Sequence, residues 1–130
     1  MRIRLLLSLL VLAALVFTVR HLVIVPDVKQ ISAAQLEELL EQGVPLQIVD
    51  VREAEEYAAG HIPGALLIPL AELEERMHEL CPHTDVVVVC LTGNRSAQAT
   101  RRLVEEGFRA KNLKGGMVHW QGEVERLSAD

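Results

Sequence analysis

Four consecutive valines, Val86 to Val89, run directly into Cys90 and a short loop, Leu91-Thr92-Gly93-Asn94-Arg95-Ser96, that opens a helical pattern. An unbroken apolar run of this length predicts a strand buried on both faces, as in a parallel sheet covered by helices on each side. Such sheets bind ligands at the carboxyl ends of their strands, and Cys90 occupies that end. A helix predicted from Asn94 through Gly107 would aim its N-terminus and the loop amides at the sulfur, lowering its pKa and stabilising an anion. Gly93 permits a positive φ and close backbone approach, and Arg95 is placed to orient loop carbonyls or hold an anion. A free cysteine often serves as a small buried hydrophobe. Here glycine and small polar residues follow it instead of further core, which favours a thiolate nucleophile.

The chain has 130 residues and only two cysteines, Cys81 and Cys90, so a packed core and not a disulfide framework must hold it together. Residues 1–25 differ from the rest. Arg2 and Arg4 precede a run from Leu5 to Val19 with no charge and only Ser8 and Thr18 as polar residues. This predicts an N-terminal apolar helix that is a transmembrane anchor or a signal segment. No small-residue cleavage pattern precedes a processing point, which favours the anchor over a cleaved signal. As a helix, the 23 residues from Ile3 to Val25 reach about 34 Å, enough for a hydrocarbon core of roughly 30 Å. Arg2 and Arg4 argue for a cytoplasmic start, against Arg20 and Lys29 on the other flank, and so lean toward an extracytoplasmic domain. The chain carries a formal net charge of −5, with acidic runs that read as solvated helix faces and no basic footprint for nucleic acid.

Residues 26–30 read as a linker, 31–122 as one domain and 123–130 as a polar tail. Ser32 and Gln35 form a capping box ahead of Leu36, Leu39 and Leu40, in a helix ending near Gly43. Leu46 to Val51 reads as a buried strand, Ala54 to Ala59 as a helix stopped by Gly60, and Ala65 to Ile68 as a further strand. Leu73, Met77 and Leu80 share one face of a third helix broken at Pro82. The helix after Cys90 presents Ala99, Leu103 and Val104 to the sheet, and Lys111 to Leu113 makes a last strand. Strands alternating with helices at these intervals predict an α/β fold, a parallel sheet flanked by helices on both faces.

Three blocks carry a family resemblance: Asp50-Val51-Arg52 with Glu56-Tyr57 and Gly60-His61-Ile62-Pro63-Gly64-Ala65; Cys90 to Ser96; and Gly115-Gly116-Met117-Val118-His119-Trp120. Together they closely resemble the single-domain rhodanese-like sulfurtransferases over roughly Ile31 to Gln121. The resemblance implies a rhodanese-like fold and a catalytic cysteine, here Cys90, that takes sulfane sulfur from a small-molecule thiosulfonate or persulfide donor. Cyanide, or a low-molecular-weight or protein thiol, would then accept it. Leu91, Thr92, Gly93, Asn94, Arg95 and Ser96 would form the substrate-binding loop. No cofactor and no metal are called for. A noncatalytic rhodanese-like module, binding a partner or sensing redox state through Cys90, is the alternative.

Cysteine phosphatases that resemble this fold place five residues between cysteine and arginine. Here four separate Cys90 from Arg95, a smaller cradle suited to sulfur more than to a phosphoryl group. Many thiosulfate-using members carry a basic residue just after the cysteine, where this chain has Leu91; an apolar rim there favours a persulfide donor. Asp50, Arg52 and His61 read as scaffold, and Trp120 as a core plug with its indole nitrogen bonded locally. His78, Cys81 and His83 straddle a helix end and are set aside as metal ligands. Cys81 and Cys90 lie at opposite ends of a five-residue strand spanning about 17 Å, beyond disulfide reach.

Overall fold

The computed structural model describes residues 2–21 and 27–128. The chain runs α1 (Arg2–His21), β1 (Gln30–Ile31), α2 (Ala33–Glu41), β2 (Gln47–Asp50), α3 (Ala54–Ala59), β3 (Leu66–Leu67), α4 (Leu73–Arg76), β4 (Val86–Val89), α5 (Asn94–Glu105), β5 (Ala110–Leu113) and α6 (Gly116–His119). The five strands form one sheet in the order β1-β5-β4-β2-β3, every pairing parallel. The valine run is its centre. Val86, Val88 and Cys90 pack into one core with Val49, Ala99 and Leu103, and Val87 and Val89 into another with Ile48, Leu36 and Ile62. Period-two alternation thus buries both faces of β4, each fully buried valine contributing about 1.5–3 kcal/mol.

The topology positions the site. The β2-α3-β3 crossover runs toward one edge of the sheet and β4-α5-β5 toward the other. Tyr57 of α3 packs in one core, while Ala99 and Leu103 of α5 pack in the other, so the two helices cover opposite faces. The carboxyl ends of the adjacent strands β2 and β4 therefore form a topological switch point, where diverging loops leave a crevice.

Several elements differ from expectation. The third helix is a four-residue α4 flanked by 3₁₀ turns at Leu70–Glu72 and Met77–Glu79, although Leu73, Met77 and Leu80 do join one core. Val104 does not face the sheet: it is 52% exposed, and Ser96 and Thr100 are buried on that side of α5 instead. The hydrophobic face is completed by two hydroxyls, whose chemistry is local: Thr100 Oγ1 donates to Ser96 O at 2.7 Å. β1 begins inside the expected linker, an edge strand of two residues that pairs with β5 and is too short to show a period. The C-terminal segment docks on the domain. His61 and Glu125 exchange both backbone hydrogen bonds at 2.9 Å, and Leu127 N donates to Ala58 O.

α1 is helical through the apolar run, and all its described side chains, from Ile3 to Leu15, are exposed. Among the described residues no helix is long and apolar enough to cross a membrane. The expected span over residues 3–25 extends past the described residues at 22–26 and is not supported as an anchor on this ground.

Candidate active site

Cys90 follows the last valine of β4 and is 1% exposed. The loop after it turns at Gly93, whose φ of +101° favours glycine, and this brings Gly93 N–H back to donate to Cys90 Sγ at 3.1 Å. Ser96, in the first turn of α5, sets its Oγ 3.1 Å from the same sulfur. That hydroxyl also lies 2.5 Å from Asn112 Oδ1, and Asn112 Nδ2 donates to Gly93 O and to Gln30 Oε1. A serine hydroxyl has one proton, so Ser96 shares it between the amide oxygen and the sulfur, donating to sulfur when Cys90 is ionised. Burial pushes the Cys90 thiol up. The Ser96 hydroxyl and the backbone N–H groups of Ser96, Gly93 and Thr92 outweigh it, leaving the thiol below its ordinary value.

The loop is clamped from below by α6. Met117 N donates to Cys90 O and Val118 N to Leu91 O, at 2.8 and 3.0 Å. The approach requires a glycine at 116: φ is +58°, and a Cβ there would stand 2.4 Å from Cys90 O and 2.6 Å from the carbonyl carbon of Leu91. The Gly115-Gly116 pair therefore shapes the Cys90 loop, a role its sequence position did not reveal.

The expected loop residues divide by position. Gly93 and Ser96 are buried against the sulfur, while Leu91, Thr92 and Asn94 are exposed at the rim. Arg95 does not reach for loop carbonyls. Its Nη1 and Nη2 donate to Glu56 Oε2 and Oε1 at 2.9 and 2.8 Å, across the crevice to α3. The Arg95 hydrogen bonds hold the Glu56 carboxyl down at about 2 against a smaller opposing effect of burial, so the pair is ionised throughout the neutral range. Glu56 also accepts from Glu53 N, closing the capping box of α3.

Asp50 and Arg52 brace the β2 side, as expected of scaffold. Arg52 Nη2 donates to Asp50 Oδ2 at 2.7 Å and to Gly60 O at 2.8 Å, with both side chains buried. His61 stacks on Tyr57 with ring centroids 3.6 Å apart and donates from Nδ1 to Tyr57 O. Trp120 Nε1 donates to Glu123 O. Cys81 and Cys90 are both free thiols, on either side of β4 in the chain. Among the described residues no group of three His, Cys, Asp or Glu side chains is arranged to hold a metal ion. A cavity of about 600 Å³ lies at the other end of the sheet, lined by Lys29, Arg101, Val104, Phe108 and Ala110, away from this chemistry.

Sequence reading assigned no site role to Glu56, Asn112 or Gly116. Asn112 carries a usable signal, a lone amide in a strand whose neighbours Ala110 and Leu113 are core. Glu56 carries none beyond its helix cap, because the pairing with Arg95 spans 39 residues.

The family model for the rhodanese-like domain matches residues 32–123. The chain is 40% identical to the Bacillus subtilis protein YtwF over 98 residues, which is 75% of this chain and 95% of that one. It is 37% identical to a sulfurtransferase of Allochromatium vinosum over 94 residues, 72% of this chain and 88% of the other. Among solved structures, a rhodanese-like domain protein from Staphylococcus aureus superposes with a TM-score of 0.73 at 38% identity, covering 77% of this chain and 99% of that one.

Proposed function

Since the chain belongs to the rhodanese-like domain family, we propose that it is a sulfurtransferase working through a persulfide on Cys90. The observation that carries this reading is the convergence of Gly93 N–H and Ser96 Oγ on a buried sulfur at 3.1 Å each. Fixed donors of this kind favour an anion in a dry site and need no reorganisation when sulfur carries charge. In the first half-reaction the Cys90 thiolate attacks the outer sulfur of a donor. An S–S bond forms to Cys90, and the donor's own S–S bond breaks with its electrons leaving as sulfite or as a thiolate. In the second, cyanide or an acceptor thiolate attacks the terminal sulfur, and Cys90 leaves as thiolate. The chain's part is to hold both anions in one cradle.

The rim supports a persulfide donor over thiosulfate. Leu91 is 43% exposed where a basic side chain would meet a dianion. Intact mass of the full-length protein after incubation with glutathione persulfide is expected to rise by about 32 Da, one sulfur, and to return on adding cyanide. Folded protein with a free Cys90 thiol that takes up no sulfur from either glutathione persulfide or thiosulfate assigns the domain to binding or redox sensing instead.

We also propose that residues 3–25 hold the protein at a membrane as a single-pass anchor, with the catalytic domain outside the cytoplasm. The reading is supported by the uncharged run from Leu5 to Val19 and by apolar side chains exposed along the described part of α1. Full-length protein is expected in the carbonate-resistant membrane pellet; release by carbonate or recovery in the soluble fraction sinks the anchor. Protease added outside intact spheroplasts should digest the domain, and full protection reverses the orientation.

A further inference from the structure

The crevice between the β2 and β4 loops is spanned by the ion pair of Arg95 and Glu56, which approach from helices on opposite faces of the sheet. Both carboxylate oxygens are engaged by the two terminal nitrogens of the guanidinium, so the fork of the arginine is occupied. Glu53 and Cys90 also act on Arg95, and Arg52, which acts on Glu56, is already committed to Asp50. A donor bearing a sulfonate would arrive as a dianion at a mouth whose Arg95 is already paired with a carboxylate. Beside the crevice lie Leu91 and Val118, both exposed and joined by the backbone hydrogen bond from Val118 N to Leu91 O.

We infer that Glu56 is a specificity-determining residue of the sulfur-transfer site: by occupying Arg95 with both oxygens it withholds the cation a sulfonate-bearing donor would use. The site is thereby turned toward persulfides carried on an organic thiol. The inference rests on the sulfurtransferase reading and adds to it the residue that discriminates between donors. The two donors differ in what must be accommodated. Thiosulfate transfers its outer sulfur to the Cys90 thiolate and releases sulfite, so two negative charges persist beside Glu56 through the step. A persulfide, R–S–SH, transfers its outer sulfur and the attached proton to Cys90 and releases R–S⁻, with a single charge on the leaving sulfur where sulfite carries two. Its organic group then lies against Leu91 and Val118.

The test compares kcat/KM for thiosulfate and for glutathione persulfide, with cyanide as acceptor, in the full-length protein. Wild type is expected to prefer the persulfide by at least about tenfold. Glu56→Gln keeps an oxygen to accept from Glu53 N, and so keeps the start of α3, but frees Arg95 from a carboxylate. It is expected to raise the thiosulfate-to-persulfide ratio of kcat/KM by about tenfold, mainly through a lower KM for thiosulfate. Glu79→Gln makes the same change of charge in a surface pair with Arg76, before β4 and toward its amino end, and is expected to leave the ratio within about twofold. A wild-type preference for thiosulfate overturns the inference without reference to any variant. So does an unchanged or lowered ratio in Glu56→Gln of native circular dichroism. If wild type gains no sulfur on Cys90 from either donor, the sulfurtransferase reading fails and the inference with it; a sulfur adduct with an unmoved ratio removes only the assignment of Glu56.

Discussion

Replacing Cys90 with serine is expected to lower sulfur-transfer turnover by roughly three orders of magnitude or more, with no 32 Da adduct, while the domain stays folded. The chemical step requires a sulfur that can both attack a sulfane sulfur and leave again as a stabilised anion. A serine hydroxyl at the same place is a far weaker nucleophile at neutral pH and makes no S–S bond. The fold should tolerate the change, because a hydroxyl oxygen can accept from Gly93 N–H and Ser96 Oγ much as the sulfur does. The stability cost is then about 1 kcal/mol, typical of a conservative buried substitution. Cys81→Ser is the control: Cys81 is exposed and precedes β4, at the other end from the loop amides, and its variant should keep full turnover. Wild-type turnover in Cys90→Ser would remove the nucleophile from this site altogether.

The second large effect is on stability. Asp50→Ala is expected to destabilise the domain by about 3–5 kcal/mol, because it leaves the Arg52 guanidinium buried without its counter-charge. Asp50 and Arg52 are 1% and 4% exposed, and the aspartate accepts from the Arg52 backbone as well as from Nε and Nη2. Arg52 also donates to Gly60 O, so its displacement would loosen the start of the Gly60-to-Ala65 turn and the docked C-terminal segment beside it. In a domain of this size the loss corresponds to a drop in Tm on the order of 15 °C or more. Replacing both residues together with apolar side chains should recover part of it, since the cost lies in the orphaned charge and not in the missing pair. Urea unfolding that places Asp50→Ala within 1 kcal/mol of wild type would show that Arg52 finds water or another partner.

The contrast between these two sites explains how legible the chain was. Cys90 announces itself because the signals that define it are contiguous: a buried strand, a glycine turn and a helix start within about a dozen residues. The Arg52–Asp50 brace is equally local, two residues apart along one strand end. By contrast, the partners that surround the Cys90 loop come from far along the chain. Asn112 reaches Ser96 from β5, Glu56 reaches Arg95 from α3, and Gly116 brings α6 under the Cys90 carbonyl. No periodicity or spacing encodes such contacts, because each depends on which strands become neighbours.

Element boundaries followed the same division. The expected strands around β2 and β3 are longer than those observed, yet Val51 N and Ile68 N still bond to Val89 O and Asp50 O, so the apolar pattern correctly marks buried backbone. Val104 misled because helical spacing gives a wide apolar face without saying where its edge falls, and the sheet in fact meets Ala99, Thr100 and Leu103.

Local pattern and turn chemistry therefore determined the parallel α/β class, the central valine strand and the cysteine loop at its end, since each rests on forces acting within one turn or one strand. Tertiary structure alone decided the order β1-β5-β4-β2-β3, and with it the crevice at the switch point and the charge state of its rim. Whether Arg95 is free or paired depends on a carboxylate 39 residues away that only the packed sheet brings within 2.8 Å.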